Sequence, residues 1–542
     1  MNIKNDGRKD YMPLLLDILR TAKNGDTLVF ERGTYNFYPE HAFEVESCIS
    51  NHDADGLKKV AFFIKNIENI VIDGNGAEFI FHETMVPFQI ENSKNVCLKN
   101  FSIDYPDVMY AQSTVLASGS DFCDIKMFPG SNYRIENNKL CPVLEGGFSA
   151  PVLTAMEFDP VNECVEYNTN NRDIRECTAE SLDNGVVRLK GEFEIPPKAG
   201  NFFFMHYGQR FAASIFINES ENTEIEKITV HTSRGMGILA QISKNINITD
   251  YKVTPSTGNF VTCQGDGAHF VNCCGDIVLD RCHIEKQMDD SMNCHGIYLQ
   301  IYKIVDDNKV IAKSVHQQQQ GVPMFRNGDT AEFIRTDCMV TQGSSKIKNV
   351  DLVSHSVMIL EFEDTLPDTI NEGDCIENIT LSPNLTVKNS YFGKNRARGL
   401  ILTTCGKILI EGNTFEKAGC AMKMAGNPLF WFESGRVQDV TVRNNTFIDC
   451  NANDRWGKAV IDIVPAVKYP DARCGFVHEN ILIENNTFRV FDMGLVYATL
   501  TNNLVVRNNK YEKTNTYPRK GIVNEHVTLI ECGTTDIQTN WD

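Results

Sequence analysis

Alternating apolar and polar residues form short strand-like segments along most of the chain, and many of these segments end in asparagine or glycine followed by an aromatic or β-branched residue. Examples lie at 71–74, 98–101 and 248–251, and sharper ones at 387–392, 410–415, 442–447, 483–488 and 506–511. The shortest steps between them are about 23 residues, and steps of about 32 and 41 fit one coil plus a loop. Asparagine tolerates the left-handed backbone of a tight corner, and its amide can bond to the next coil. The pattern therefore predicts an all-β protein built on a right-handed parallel β-helix.

A helix is predicted ahead of the first coils. Apolar residues recur at helical spacing between Leu14 and Leu19, and Pro13 suits a first-turn position. Such a helix would cover the open end of the β-helix, where unpaired strand groups would otherwise meet solvent.

Two long tracts break the period, one from Val115 to about Tyr207 and the other from Ile297 to about Glu377. Both contain short strands separated by turn residues, which is typical of antiparallel β-structure, so we expect two β-barrel-like or sandwich-like modules inserted at corners of the β-helix. The predicted organisation is a capping helix with the first coils in 1–114, the first module in 115–207, central coils in 208–296, the second module in 297–377 and the last coils in 378–542.

Three carboxylates recur at the coil spacing. Asp266 lies in a Gly-Asp-Gly run, and Asp289 and Asp290 follow about 23 residues later. Residues one coil apart lie about 5 Å apart, and carboxylates this close tend to retain a proton. Such a cluster suits a site that holds one acid and one base, and the structural alternative is that its members are corner residues or salt-bridge partners. No lysine or arginine lies within the runs 265–273 and 287–296 to neutralise the three charges.

The cluster suits glycosidic cleavage, which needs a proton for the leaving oxygen and, for inversion, a base that activates water. Side chains on a regular strand alternate between faces, so Asp289 and Asp290 can share a pocket only across a bend or bulge. A stacked pair at about 5 Å would suit retention, whereas inversion needs about 6.5 to 9.5 Å. The sequence leaves this distance open.

The composition of the chain limits the kinds of binding partner to be expected. The net charge of -19 and the pI near 5.2 argue against nucleic acid and anionic membranes. Because no run of 18 or more apolar residues occurs and the first ten residues are polar, we expect no membrane span and no signal peptide. The protein is then cytoplasmic, or secreted or periplasmic if a leader has been removed. The 18 cysteines lack metal-site spacing, so no metal or other cofactor is expected.

Four motifs resemble family 110 of the glycoside hydrolases. They are the runs 265–273, 287–296, 395–400 and 431–435, and the likeness extends from the N-terminal helix to the last coil. Members of that family are exo-acting α-1,3-galactosidases, including enzymes that remove the terminal galactose of the blood group B antigen. The resemblance implies a β-helix with β-barrel modules, an inverting mechanism, a glycan substrate with terminal α-1,3-galactose, and a homodimer.

The resemblance also implies residue roles. Asp289 would be the general acid, while Asp266 and Asp290 would hold and activate the water. The residues expected to bind the sugar, by stacking on its apolar face or bonding its hydroxyls, are His269, Asn293, His295, Arg396, Arg398, Trp431 and Glu433. For Trp431 the alternative is packing under its loop, for the pair Arg396 and Arg398 it is a solvated corner, and for His269 it is a satisfied core histidine.

Two other functional classes stay open. A polysaccharide lyase shares the β-helix but needs a basic residue and commonly calcium. A non-catalytic glycan-binding solenoid would bind sugar without releasing galactose. The sequence does not decide between branched, fucosylated substrates and linear ones, nor which of Asp266 and Asp290 is the principal base.

Overall fold

The computed structural model describes residues 1–53, 55–416, 419–491, 493–518 and 526–538. The chain winds into a parallel β-helix whose coils contribute strands to two long sheets, and the predicted all-β class with inserted antiparallel modules is confirmed. Branched and aromatic side chains from successive coils stack in the interior as one continuous core, for example Phe392, Phe415, Phe447 and Phe488. Each coil buries its apolar face only against the neighbouring coils, so the coils encoded by the sequence repeat stack along the axis of the β-helix.

In the late coils two short strands of each coil belong to the first sheet, and a corner of the coil lies between them. The strands of this sheet are Asn2–Ile3, Thr27–Phe30, Thr34–Phe37, Val71–Phe81, Lys94–Asp104, Glu221–Val230, Lys244–Thr249, Lys252–Val253, Cys274–Asp280, His283–Glu285, Asn384–Lys388, Tyr391–Gly393, Lys407–Glu411, Thr414–Glu416, Asp439–Arg443, Thr446–Ile448, His478–Glu484, Thr487–Val490, Thr501–Arg507, Lys510–Lys513 and Thr535–Ile537.

The second sheet carries the residues of the candidate site. Its strands are Phe43–Ser47, Gly56–Lys65, Val86–Glu91, Ile215–Asn218, Ile238–Gln241, Ala268–Val271, Met292–Ile297, Leu400–Thr403, Met422–Met424, Ile461–Ile463, Val496–Thr499 and Val527–Ile530, with the short strand Glu433–Ser434 paired antiparallel beside Gly296 and Ile297.

At the corners of the late coils, two neighbouring asparagines have different structural roles. Asn444 has a φ of 57°, in the left-handed region that asparagine tolerates. The next residue, Asn445, is buried and donates its side-chain Nδ2 to Asn486 Oδ1 of the following coil at 3.0 Å. Asn486 repeats the pattern with Asn509 at 2.9 Å. The asparagine ladder predicted from the sequence is therefore an internal column of amides that satisfies buried backbone groups.

The N-terminal helix Met12–Thr21 buries Met12, Leu15, Ile18 and Leu19 against the first coils and so covers the end of the core, as predicted. Pro13 occupies its first turn. Short 3₁₀ turns lie at Pro39–His41, Glu145–Gly147, Asp183–Gly185, Gln317–Gln319, Asp454–Trp456 and Ala472–Cys474.

The first long insertion folds into an eight-stranded antiparallel sheet and a hairpin, with its own apolar core. The sheet strands are Ala111–Ser118, Phe122–Met127, Thr154–Asp159, Cys164–Val165, Arg172–Asp173, Thr178–Ser181, Val186–Lys190 and Phe202–His206, and the hairpin strands are Tyr133–Glu136 and Lys139–Pro142.

The second insertion is a closed six-stranded antiparallel barrel. It begins two residues after the strand Met292–Ile297, so it stands directly beside that strand's C-terminal end. Its strands are Leu299–Asp306, Lys309–Lys313, Thr330–Ile334, Thr341–Ser354, Val357–Phe362 and Cys375–Asn378. In the described part of the chain, no helix is long and apolar enough to cross a membrane.

Candidate active site

Three aspartates meet just before two neighbouring strands of the second sheet. Asp266 precedes the strand Ala268–Val271, and Asp289 and Asp290 precede its parallel neighbour Met292–Ile297. One carboxylate oxygen from each aspartate lies within 4.8 Å of those of the other two. The structure thus brings the three side chains into a single cluster.

A break between strands allows Asp289 and Asp290 to face the same side. The strand His283–Glu285 ends before them, and residues 286–291 lie outside regular strands. Successive side chains point to opposite faces only along a regular extended strand. Asp289 and Asp290 lie outside such a strand, so both side chains can point into the same site. The backbone N–H of Asp290 donates to Asp266 Oδ1 at 3.2 Å, which ties the bend to the preceding coil.

Asp289 is ion-paired with two arginines. Arg396 Nη2 donates to Oδ1 at 2.9 Å, and Arg210 Nη2 donates to Oδ2. Burial by itself raises the pKa of Asp289, but Arg396, Arg210 and Arg398 outweigh burial and lower this pKa to about 2. Asp289 is therefore ionised at neutral pH in the substrate-free site.

The pKa values of Asp290 and Asp266 are shifted in the opposite direction, upward. Burial is the largest cause that raises the pKa of Asp290 to about 7, against the opposing charge of Arg398. Burial followed by the charge of Asp289 raises the pKa of Asp266 to about 8. Neighbouring carboxyl groups with well-separated pKa values are the usual basis of acid and base roles.

The expectation that no basic residue neutralises the cluster is wrong. Arg210 follows the first inserted module, and Arg396 and Arg398 precede the strand Leu400–Thr403 on the next coil. Arg398 is separated from Asp290 by 108 residues, because the barrel is inserted between the two coils. Sequence proximity could not reveal these contacts, since coil stacking brings distant segments together.

A row of contacts leads from Asp266 through two histidines to a glutamate. His269 Nδ1 lies 2.6 Å from Asp266 Oδ2, and His269 Nε2 lies 2.8 Å from His295 Nε2. His295 Nε2 lies 3.6 Å from Glu433 Oε1. Both ring nitrogens of His269 thus have protein partners, which leaves neither free for a sugar hydroxyl. Burial raises the pKa of Glu433, but His295, His269 and Arg398 lower it below its ordinary value.

The remaining predicted binding residues lie around this row. Asn293 is buried, and it pairs with His269 in the strand register. Trp431 is 38% exposed on the loop before Glu433, beside the more exposed Phe430. Its ring lies 4.9 Å from that of His316, and Gln319 Nε2 donates to its carbonyl at 2.9 Å. Trp431 therefore lies at the rim, next to the second inserted module.

The sequence matches two family models over its inserted modules. "GLAA-B beta-barrel domain I" covers residues 111–203, and "GLAA-B beta-barrel domain II" covers residues 309–376. Alpha-1,3-galactosidase B from Bacteroides thetaiotaomicron is 33% identical over 99% of this chain and 89% of that protein. The chain belongs to the α-1,3-galactosidase family. Alpha-1,3-galactosidase A from Shewanella woodyi is also 33% identical, over 94% of this chain and 84% of that protein.

Among solved structures, this α-1,3-galactosidase family member is similar to the family 28 exopolygalacturonase of Yersinia enterocolitica. The sequence identity is 11%, the TM-score is 0.40, and the match covers 100% of this chain and 79% of that chain. The Azotobacter vinelandii mannuronan C-5 epimerase AlgE6 A-module matches at a TM-score of 0.38 and 8% identity, over 98% of this chain and 97% of that chain.

Sequence reasoning missed several residues of the site in this family member. The ring of Trp456 lies 4.9 Å from the guanidinium carbon of Arg396 and 5.5 Å from that of Arg398. Cation–π contacts of this kind help to hold the two arginines. Tyr110, from the start of the first module, is buried and interacts electrostatically with Arg396 and Asp289. Neither residue lies in a repeated motif, so the sequence carried no signal for them.

Several buried polar atoms around the cluster have no hydrogen-bond partner among the described residues. They are Asn51 Oδ1, Tyr110 Oη, Asn293 Oδ1, Arg396 Nε and Trp456 Nε1. Buried polar groups are normally hydrogen-bonded, so this concentration of unpaired donors and acceptors suits a ligand rich in hydroxyl groups.

The three aspartates are also the group that could hold a metal ion among the described residues. Both oxygens of Asp289 and both oxygens of Asp290 already accept hydrogen bonds from guanidinium groups. A cation at this position would be repelled by three arginines, so the donor set fits a metal poorly.

Proposed function

We propose that the protein is an inverting exo-α-1,3-galactosidase that hydrolyses non-reducing terminal α-1,3-linked galactose from glycans such as blood group B-type or linear α-Gal structures. Family membership supports a glycoside hydrolase, and the name α-1,3-galactosidase that the relatives bear supports the sugar and the linkage. The observation that carries the proposal is the meeting of three aspartates that each place one carboxylate oxygen within 4.8 Å of those of the other two, with Asp289 held by two arginines. In the substrate-free site Asp289 is ionised and the pKa values of Asp266 and Asp290 are raised to about 8 and about 7, so both roles require protons to move when substrate binds.

In this proposal Asp289 protonates the leaving oxygen, and Asp266 and Asp290 bind and activate the attacking water. Asp289 must first gain a proton. The hydroxyls of a bound galactose would draw the N–H groups of Arg210 and Arg396 away from it, and the sugar would exclude water. Both changes raise the pKa of Asp289, so the acid becomes competent only when substrate is present.

Sugar binding would use the unpaired polar atoms. Asn293 and Arg396 are positioned to bond hydroxyls near the cluster, and Glu433 adds an anionic acceptor from the short strand beside Ile297. Trp431 would stack on the sugar at the rim. Tyr110 and Arg210, which flank the first module, would close the other side.

The decisive experiment is a panel of α-1,3-, α-1,4- and α-1,6-linked galactosides, with the first released anomer followed by NMR. Release of β-galactose from the α-1,3-linked members alone would support the linkage and the inverting mechanism. Initial α-galactose would establish retention and overturn the assignment of a water-activating base. Fucosylated and linear α-1,3-galactosides in the same panel would rank the two substrate types.

The lyase and the non-catalytic solenoid are separated by the same assay. A lyase would give an unsaturated product that absorbs ultraviolet light and would lose activity with a chelator. A binding protein would retain sugar affinity and release no galactose. The three arginines of the cluster are ion-paired with Asp289 and Asp290, so they are poorly suited to act as a lyase base.

A further inference from the structure

A row of four side chains leads from the cluster to the rim of the site. The contacts run from Asp266 to His269 at 2.6 Å, from His269 to His295 at 2.8 Å, and from His295 to Glu433 at 3.6 Å. Both histidines are buried, at 1% and 3% exposure. The row crosses two neighbouring strands in one layer, because His269 and His295 lie on the same face of the sheet.

Donor and acceptor matching restricts the protons in this row. His295 Nδ1 lies 2.6 Å from the carbonyl oxygen of Gly296, which can only accept, so this nitrogen carries a proton. One proton must also lie between the two Nε2 atoms. If His269 supplies it and both rings are neutral, His269 Nδ1 is an acceptor and Asp266 must donate an O–H to it. If His295 supplies it, His295 is an imidazolium and Asp266 is a carboxylate.

These two arrangements contain the same number of protons and differ by a short shift of two of them. We propose that His269, His295 and Glu433 form a proton relay that removes the proton from Asp266 and so makes Asp266 available as the base. This inference rests on the proposed function, because it assigns Asp266 the task of accepting a proton from water. His269 and His295 are then positioning residues, since they act through Asp266.

The step is balanced. The O–H bond of Asp266 breaks as an N–H bond forms at His269 Nδ1. At the same time the Nε2–H bond of His269 breaks, and a new N–H bond forms at His295 Nε2. The products are the Asp266 carboxylate, a neutral His269 and a protonated His295 beside the Glu433 carboxylate. After water attacks the sugar carbon, its proton goes to Asp266, so the row then holds one proton more than at the start. The cycle closes when this extra proton is returned to Asp289, which gave one proton to the leaving oxygen.

Charged groups on every side bear on this equilibrium. Asp289, Arg210, Arg398 and Glu433 act on Asp266. His269 is influenced by His295, Glu433, Arg210, Asp289 and His52, and His295 also interacts with His316. The nearest group of opposite charge to a protonated His295 is Glu433, which therefore stabilises the transferred state.

The test is the acid side of the pH profile of kcat/KM in Glu433→Gln. As a simple electrostatic neighbour, Glu433 raises the pKa of Asp266, so its removal would move the acid limb to lower pH. The relay predicts the reverse. Without Glu433 the protonated state of His295 is no longer stabilised, the proton stays on Asp266, and the limb moves to higher pH.

Two further variants complete the experiment. His295→Gln should also move the limb upward by about one pH unit. Glu433→Asp keeps the charge and should leave the position of the limb close to that of the parent protein, whatever its effect on sugar binding. The matched control is His283→Gln, whose histidine has a side chain 41% exposed outside the site and should leave the profile unchanged. An unmoved or lowered limb in both Glu433→Gln and His295→Gln would overturn the relay.

A second measurement does not depend on activity. In ¹⁵N-histidine spectra of the substrate-free protein, the relay requires a proton between the two Nε2 atoms. Either His269 is the Nε2–H tautomer with neutral His295, or it is the Nδ1–H tautomer with protonated His295. A His269 Nδ1–H tautomer beside a neutral His295 Nδ1–H tautomer would overturn the relay. If no galactoside is cleaved, the proposed function fails, while these spectra still decide whether the proton path exists.

Discussion

Arg398 binds Asp290 of the preceding coil with three hydrogen bonds. Nε donates to Oδ1 and Nη2 to Oδ2, each at 2.8 Å, and the backbone N–H of Arg398 donates to Oδ1 at 2.9 Å. This bidentate pair fixes the orientation of a carboxylate that would otherwise be repelled by Asp266 and Asp289. One residue on a neighbouring coil therefore holds the catalytic candidate in place.

Arg398→Lys should lower kcat/KM by about tenfold or more, because the single ammonium group of lysine cannot bond both oxygens of Asp290 in a fixed plane. Steady-state kinetics with an aryl α-galactoside measure the loss. The matched control is Arg443→Lys, which alters an equivalent pair with Glu411 on the outer surface of the β-helix. Equal losses in both variants would mean that the effect is on the fold.

Asp289→Asn should lose activity toward a natural galactoside by about 100-fold or more, but much less toward an aryl galactoside with a good leaving group. An activated leaving group departs without protonation, so only the first substrate needs the acid. Asp266→Asn should impair both substrates alike, because both need activated water. If Asp289→Asn impairs the two substrates equally, Asp289 is not the acid.

The pH profile of kcat/KM should fall on the acid side above pH 6, well above the limb near 4 of an ordinary carboxylate. Asp290 and Asp266 must be unprotonated to activate water, and burial raises their pKa values to about 7 and about 8. Activity is therefore present above these values and is lost as the pH falls through them. A limb near 4 would contradict the assignment of this pair as the base.

Trp456→Ala should reduce kcat, because Arg396 and Arg398 lose the aromatic face that packs against them. Trp456→Phe should recover part of the loss, since a smaller ring retains the contact. Trp431→Ala should instead raise KM with kcat largely kept, because that ring lies at the rim. A rise in KM alone for Trp456→Ala would place this tryptophan among the substrate contacts.

Asn445→Ala should lower the free energy of unfolding by about 2 kcal/mol, because it leaves buried amide and carbonyl groups without partners. Urea unfolding followed by circular dichroism measures the change. The comparison is Asn222→Gly, which removes two exposed hydrogen bonds between coils but keeps the φ of 58° accessible. This second change should cost less than about 1 kcal/mol, and a similar cost for both would show that burial of the ladder is unimportant.

The repeat of the β-helix is readable in the sequence because each coil meets the same local demands. A left-handed corner needs an asparagine or glycine such as Asn444 or Gly412, and the stacked interior needs a regular apolar residue such as Phe447. The spacing of Asp266 from Asp290 also follows from the coil length, so their proximity could be predicted. The different roles of Asn444 and Asn445 at this corner could not be predicted, because both residues have the same side chain.

The amino-acid sequence by itself determined the class of fold, the capping helix, the two insertions and the candidate acids, since all of these follow from periodicity and its interruption. Only the tertiary structure decided the charge of the site. Arg398 reaches Asp290 across the second inserted module, and Arg210 reaches Asp289 from 79 residues earlier in the chain. Burial and these arginines together give chemically identical carboxylates different proton affinities. The physical reason is that electrostatic energy depends on distance and solvent exposure in three dimensions, and neither quantity is fixed by position along the chain.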